Sequence, residues 1–94
     1  MYVRISRAAY KPEHADAVKD IIGKLEKDFD KIPGMQHWVC VLTGKELVVM
    51  GYFPDRAACK ATEHVNTQRW DAALHLFKEQ PHVTEGEVLA FVSK

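Results

Sequence analysis

Three stretches of this chain are apolar on both sides of an extended backbone, and no other feature constrains the fold as much. In residues 35 to 43, MQHWVCVLT, the set Met35, Val39 and Val41 alternates with Trp38, Cys40 and Leu42. In residues 46 to 53, ELVVMGYF, Leu47 and Val49 alternate with Val48, Met50 and Tyr52. In residues 86 to 93, GEVLAFVS, Val88, Ala90 and Val92 alternate with Leu89 and Phe91. β-branched and aromatic residues at period two specify strands. A sheet made of such strands has two faces to bury. The chain has only 94 residues, enough for one domain (1–94) with a modest core.

The helical material is limited. Residues 2 to 9, YVRISRAA, read as a first strand, and Lys11-Pro12-Glu13 opens a helix. Ala15, Val18, Ile22, Leu25, Phe29 and Ile32 then recur every three or four residues among charged neighbours, the signature of an amphipathic helix. Pro33-Gly34 ends it, with Gly34 suited to a left-handed exit. Gly44-Lys45 joins the next two strands as an antiparallel hairpin. Asp55 is a natural N-cap for a second helical region, which runs to Glu79 before Gln80-Pro81. Its apolar stripe rotates between Val65 and Trp70. A break is therefore expected at Asn66-Thr67, both better caps than helix-interior residues.

The order is βαββαβ with the second helix broken. Its compact solution is a four-stranded antiparallel sheet with helices on one face, the ferredoxin-like α+β arrangement. Two helices cover one face and leave the other apolar. A second copy of the same sheet on a two-fold axis would cover it. Burying about 600 Å² in this way supplies roughly 15 kcal/mol gross, before association costs. The strands thus predict a homodimer through the open sheet face. Trp38, Cys40 and Leu42 are assigned to that interface and His37 to the helix side.

Composition excludes several classes. Thirteen Lys and Arg balance thirteen Asp and Glu, so there is no basic surplus for nucleic acid. No run of apolar residues is long enough for a membrane span, and the N-terminal segment has no signal-like apolar core, so a cytoplasmic location is expected. Cys40 and Cys59 read as buried, reduced thiols. No metal is expected, because the five histidines lack ligand spacing; His64 and His75 lie eleven residues apart. No P-loop, dinucleotide or Ser-His-Asp fingerprint is present.

The punctuation Pro33-Gly34, Tyr52-Phe53, Asp55, Ala61, His64 and Trp70, spread over nearly the whole chain, resembles that of the antibiotic-biosynthesis-monooxygenase-like family of dimeric α+β barrels. The resemblance implies a cleft between sheet and helices in each subunit. It also implies a small planar phenolic or quinol-type substrate, oxidised without metal, haem or flavin bound by the chain. A non-catalytic dimer that binds a small ligand or serves in stress, and an isomerase or lyase, use the same scaffold. The haem-degrading branch is not matched. The first strand has no Asn, His64 stands near the place of that branch's Trp, and His75 does not fall clearly on the ligand position.

Candidate residues follow from chemistry and position. His64, read as facing the sheet, is the candidate acid or base, since imidazole titrates near neutrality; the alternative is a solvated helix-end histidine. Tyr52 could donate to a substrate oxygen. Trp70 and Phe77 share a stripe and serve either as a stacking wall or as core. Arg4 or Arg7, and Arg69 beside the expected break, would bind an anionic oxygen if turned inward. His37 is a further candidate for the cleft. Gly51 marks a bulge or a close backbone approach.

Overall fold

The computed structural model describes all residues, Met1 to Lys94. Strand β1 (Tyr2–Ala9) leads through a short turn to helix α1 (Ala15–Glu26). The hairpin β2 (His37–Leu42) and β3 (Glu46–Phe53) follows, then helices α2 (Arg56–Ala61) and α3 (Glu63–Ala73) and strand β4 (His82–Glu87). The sheet is antiparallel in the order β2-β3-β1-β4, which is the expected ferredoxin-like topology. Gly34 is the one residue with positive φ, at 80°, and a side chain there would also press on Ala58 Cβ at 3.3 Å. Asp55 caps α2 as expected, its Oδ1 accepting from the Ala58 N–H at 2.8 Å.

Register sorts the side chains into two faces. Toward the helices lie Trp38–Gly51–Arg4–Glu85, then Cys40–Val49–Ser6–Val83, then Leu42–Leu47–Ala8. Leu47 and Ala8 join Val18, Trp70, Leu76 and Phe77 in the core. The opposite face carries His37–Tyr52–Val3–Gly86, then Val39–Met50–Ile5–Thr84, then Val41–Val48–Arg7–His82. No helix lies on this second face, and Val39 and Val41 are 41% and 42% exposed.

Three expectations are corrected. The assignment of β2 faces was inverted: Trp38, Cys40 and Leu42 point to the helices and His37 to the open face. Met35 nevertheless reaches the helix side, because the strand starts at His37 and Met35 precedes its alternation. The helix break falls at Thr62, not at Asn66-Thr67. Thr62 Oγ1 donates to the Cys59 carbonyl at 2.8 Å and receives Arg4 Nη1 at 3.1 Å, and both anchor the backbone where it turns. Thr67 stays helical by bonding its hydroxyl back to the Glu63 carbonyl, 3.1 Å away.

The last strand is His82–Glu87 rather than 86 to 93. Its partner β1 begins at Tyr2, so the ladder runs out after the Val88 N–H meets the Met1 carbonyl at 2.9 Å. Beyond that point the apolar residues have no strand to pair with. Leu89 and Val92 are 91% and 87% exposed. Phe91 crosses to the far edge of the open face and stacks on His37, with centroids 4.9 Å apart, while Tyr52 meets it edge-on at 5.5 Å.

Candidate functional site

The sheet and the pair α1 and α3 enclose a cavity of about 70 Å³, room for a few waters as it stands, so a ring enters only if the walls part or if it extends into the opening between the helices. Residues Thr62, Val65, Asn66, Arg69, Trp70 and Ala73 recur at three- and four-residue steps, so one face of α3 forms much of its wall. Trp38 supplies a second indole from the sheet. Gly51 lies between Trp38 and Arg4 on the sheet floor. A Cβ on Gly51 would come within 2.9 Å of Met35 Cε, so the missing side chain is what admits Met35 to the cavity wall. This is the close approach that a strand-interior glycine signals.

The polar lining is sparse, consisting of Arg4, Ser6, Thr62, Asn66 and Arg69. No Asp, Glu, His, Lys, Tyr or Cys lines the cavity, so none of its side chains exchanges a proton near neutrality. Arg4 is 4% exposed and mostly engaged. Its Nη2 donates to the Cys59 carbonyl at 2.6 Å, its Nη1 to Thr62 Oγ1, and its Nε lies 3.6 Å from Glu85 Oε2 without a hydrogen bond. Asn66 and Arg69 differ: neither side chain enters a hydrogen bond or ion pair within the chain. The Ser6 hydroxyl on the sheet floor also makes no hydrogen bond within the chain, so Asn66, Arg69 and Ser6 are the polar groups left for a ligand.

The residues singled out from sequence fall in three places. Arg4, Trp70 and Phe77 line the cavity, and the Trp70 and Phe77 rings sit 5.1 Å apart. Tyr52 and His37 are on the open face beside Phe91; Arg7 is there too, 3.8 Å from Glu46. His64 is exposed and not on the cavity wall, which corrects the expectation that it faces the sheet. With the break at Thr62, the inward face is set by Thr62, Asn66 and Arg69, and residue 64 points away. The cap chemistry of Asn66 hides it as a lining residue. Its spacing from Trp70 and Ala73 was the available signal.

The thiols are quiet. Burial, then the nearby Glu26 charge, pushes Cys40 up to about 12, and burial also raises Cys59. No three of His, Cys, Asp and Glu cluster as metal ligands would, and no helix is long and apolar enough to cross a membrane.

No family model matches the sequence, and neither does any curated protein. Solved structures do resemble the fold. The NE2512 protein of unknown function from Nitrosomonas europaea superposes with a TM-score of 0.82 at 21% identity, over 99% of this chain and 93% of that one. A crystal structure named antibiotic biosynthesis monooxygenase gives 0.75 at 22% identity, over 96% and 100%. Rv0793 from Mycobacterium tuberculosis gives 0.76 at 18% identity, over 98% of each. At such identities the likeness is one of architecture, and the chain has the α+β fold of the structures that bear the antibiotic biosynthesis monooxygenase name.

Proposed function

We propose that the protein is a homodimeric, cofactor-independent monooxygenase for a small, acidic, planar phenol or quinol. The observation that carries the reading is the cavity: two indoles, apolar walls, and Asn66, Arg69 and the Ser6 hydroxyl as its uncommitted polar groups. The ring would lie against Trp70 and Trp38, with its ionised oxygen toward Asn66. Arg69 favours the anion, because a positive charge stabilises a phenolate in a site of low dielectric. The cavity holds no base, so the proton leaves to solvent and the substrate must be acidic enough to ionise on its own. The phenolate then reduces O2. O2 adds to a ring carbon bearing hydrogen, the O–O and C–H bonds break, one oxygen stays on the carbon, the other leaves as water with that hydrogen and a proton from solvent, and the phenol has become a quinone. The chain contributes orientation, a dry wall and a donor to the oxyanion, and neither His64 nor Tyr52 takes part. The dimer would form through the open sheet face, as the apolar rows on it suggest.

The lack of an acid or base in the cavity also favours a second reading, a dimer that binds the same ligand without turning it over. Oxygen uptake separates the two. With 1-naphthol and 1,4-dihydroxynaphthalene at alkaline pH, where both ionise in solution, and after subtraction of autoxidation, the first reading expects turnover that Asn66→Leu lowers about 10²-fold, the size of one lost oxyanion donor. Turnover unchanged in Asn66→Leu would refute Asn66 as that donor. Binding without oxygen uptake would establish the second reading.

A further inference from the structure

A shallow groove on the surface between α1 and α3 adjoins the cavity and shares Ile21, Leu25, Val65, Arg69 and Ala73 with it, and we take this groove as the cavity's mouth. Two cations stand at that mouth, Lys24 from α1 and Arg69 from α3, and no carboxylate lines it. Asp20 lies one turn before Lys24 on α1, Asp28 lies in the turn beyond the helix end and pairs with Lys31, and α3 carries Glu63 and Asp71. None of these comes within 4 Å of either cation, and Lys24 and Arg69 form no ion pair at all. Two unpaired positive charges therefore flank an apolar opening, where an anion would gain from both at once and their mutual repulsion would be relieved.

We propose that the mouth between α1 and α3 recognises the carboxylate of an aromatic acid, held between Lys24 and Arg69 while the ring occupies the cavity. This rests on the cavity being the ligand site. It adds that the ligand carries an acidic substituent besides its ring oxygen. A carboxylate suits the site better than a phosphate dianion, because Ile21, Leu25, Val65 and Ala72 would strip water from whatever binds there, and a doubly charged group loses more by it.

The test compares 1-hydroxy-2-naphthoate with 1-hydroxy-2-naphthamide by titration calorimetry on the full chain. The carboxylate is expected to bind about 10- to 100-fold more tightly at low salt, as hydrogen bonds to charged groups imply. That ratio should shrink as NaCl is raised and fall about tenfold in Lys24→Gln, with a similar fall in Arg69→Gln. Equal affinities for the acid and the amide overturn this proposal while leaving the cavity reading intact. So does a ratio unchanged in both variants. Binding of neither compound overturns the cavity reading and this proposal together.

Discussion

Replacing Val39 with aspartate is expected to turn a dimer into a monomer at micromolar concentration. Val39 lies in the middle row of the open face, across from Met50 and level with Ile5 and Thr84. It is already 41% exposed in a single copy, so the substitution costs the isolated subunit little. In a face-to-face pair it would bury a carboxylate with no cation in its row. An uncompensated buried charge costs several kcal/mol. The two-fold axis introduces it twice, so a loss of about 6 kcal/mol, or roughly 10⁴-fold in the dimer constant, is the scale. Sedimentation velocity reads this directly, and circular dichroism confirms that the variant keeps its fold. A parent chain that sediments as a monomer at micromolar concentration would sink the dimer, and so would a variant that sediments exactly like a dimeric parent.

The open face shows which parts of the structure were legible in the sequence. Period-two alternation in 46 to 53 placed Val48, Met50 and Tyr52 together, and they are together. Alternation cannot say which set meets the helices, and for β2 the assignment came out inverted. The strand boundaries were harder still. Residues 86 to 93 have strand composition, but a strand needs a neighbour, and the ladder with β1 reaches no further than Val88. Residues 82 to 87, HVTEGE, look poor as a strand and became one because β1 was there to pair with.

The candidate site was legible only in part. Apolar periodicity found Trp70 and Phe77, because large side chains in step mark an inward face. It did not find the polar members of that face. The helix break falls at Thr62, four residues before the expected place, and each side chain after it is placed accordingly, His64 outward and Asn66 inward. At the break Thr62 is held by one buried guanidinium 58 residues away in sequence, and no local pattern reports such a contact.

That same arginine has the largest expected effect on stability. Arg4 ties β1 to the end of α2 through the Cys59 carbonyl and Thr62, and to β4 through Glu85. Glu85 in turn takes Lys60 Nζ at 2.9 Å and the Tyr2 hydroxyl at 3.4 Å. Arg4→Met keeps much of the volume but takes one of three donors from the Cys59 carbonyl, leaving it to the Thr62 hydroxyl and N–H, and removes a buried positive charge from Glu85. Two buried hydrogen bonds from a charged group, at about 1.5–3 kcal/mol each, put the cost at about 3–5 kcal/mol, a large share of the roughly 5–15 kcal/mol that holds a domain of this kind together. Urea unfolding of parent and variant measures it, and a change below about 1 kcal/mol would show that Arg4 is not the anchor described. The pH dependence supplies a second readout. Burial raises the Glu85 carboxyl, but the Lys60 hydrogen bond, the Lys60 and Arg4 charges and the Tyr2 hydroxyl outweigh it and hold it below the ordinary range. A carboxylate depressed in the folded state contributes stability above its unfolded value of about 4.3, and that contribution is lost as pH falls through the folded value. In Glu85→Gln the acid-side loss of stability should therefore be shallower than in the parent. In Arg4→Met the folded value rises toward the unfolded one, so this carboxylate contributes less at neutral pH and the acid limb flattens for the same reason. Equal acid slopes in all three proteins would remove Glu85 from the account and leave Arg4 acting through Thr62 and Cys59 alone.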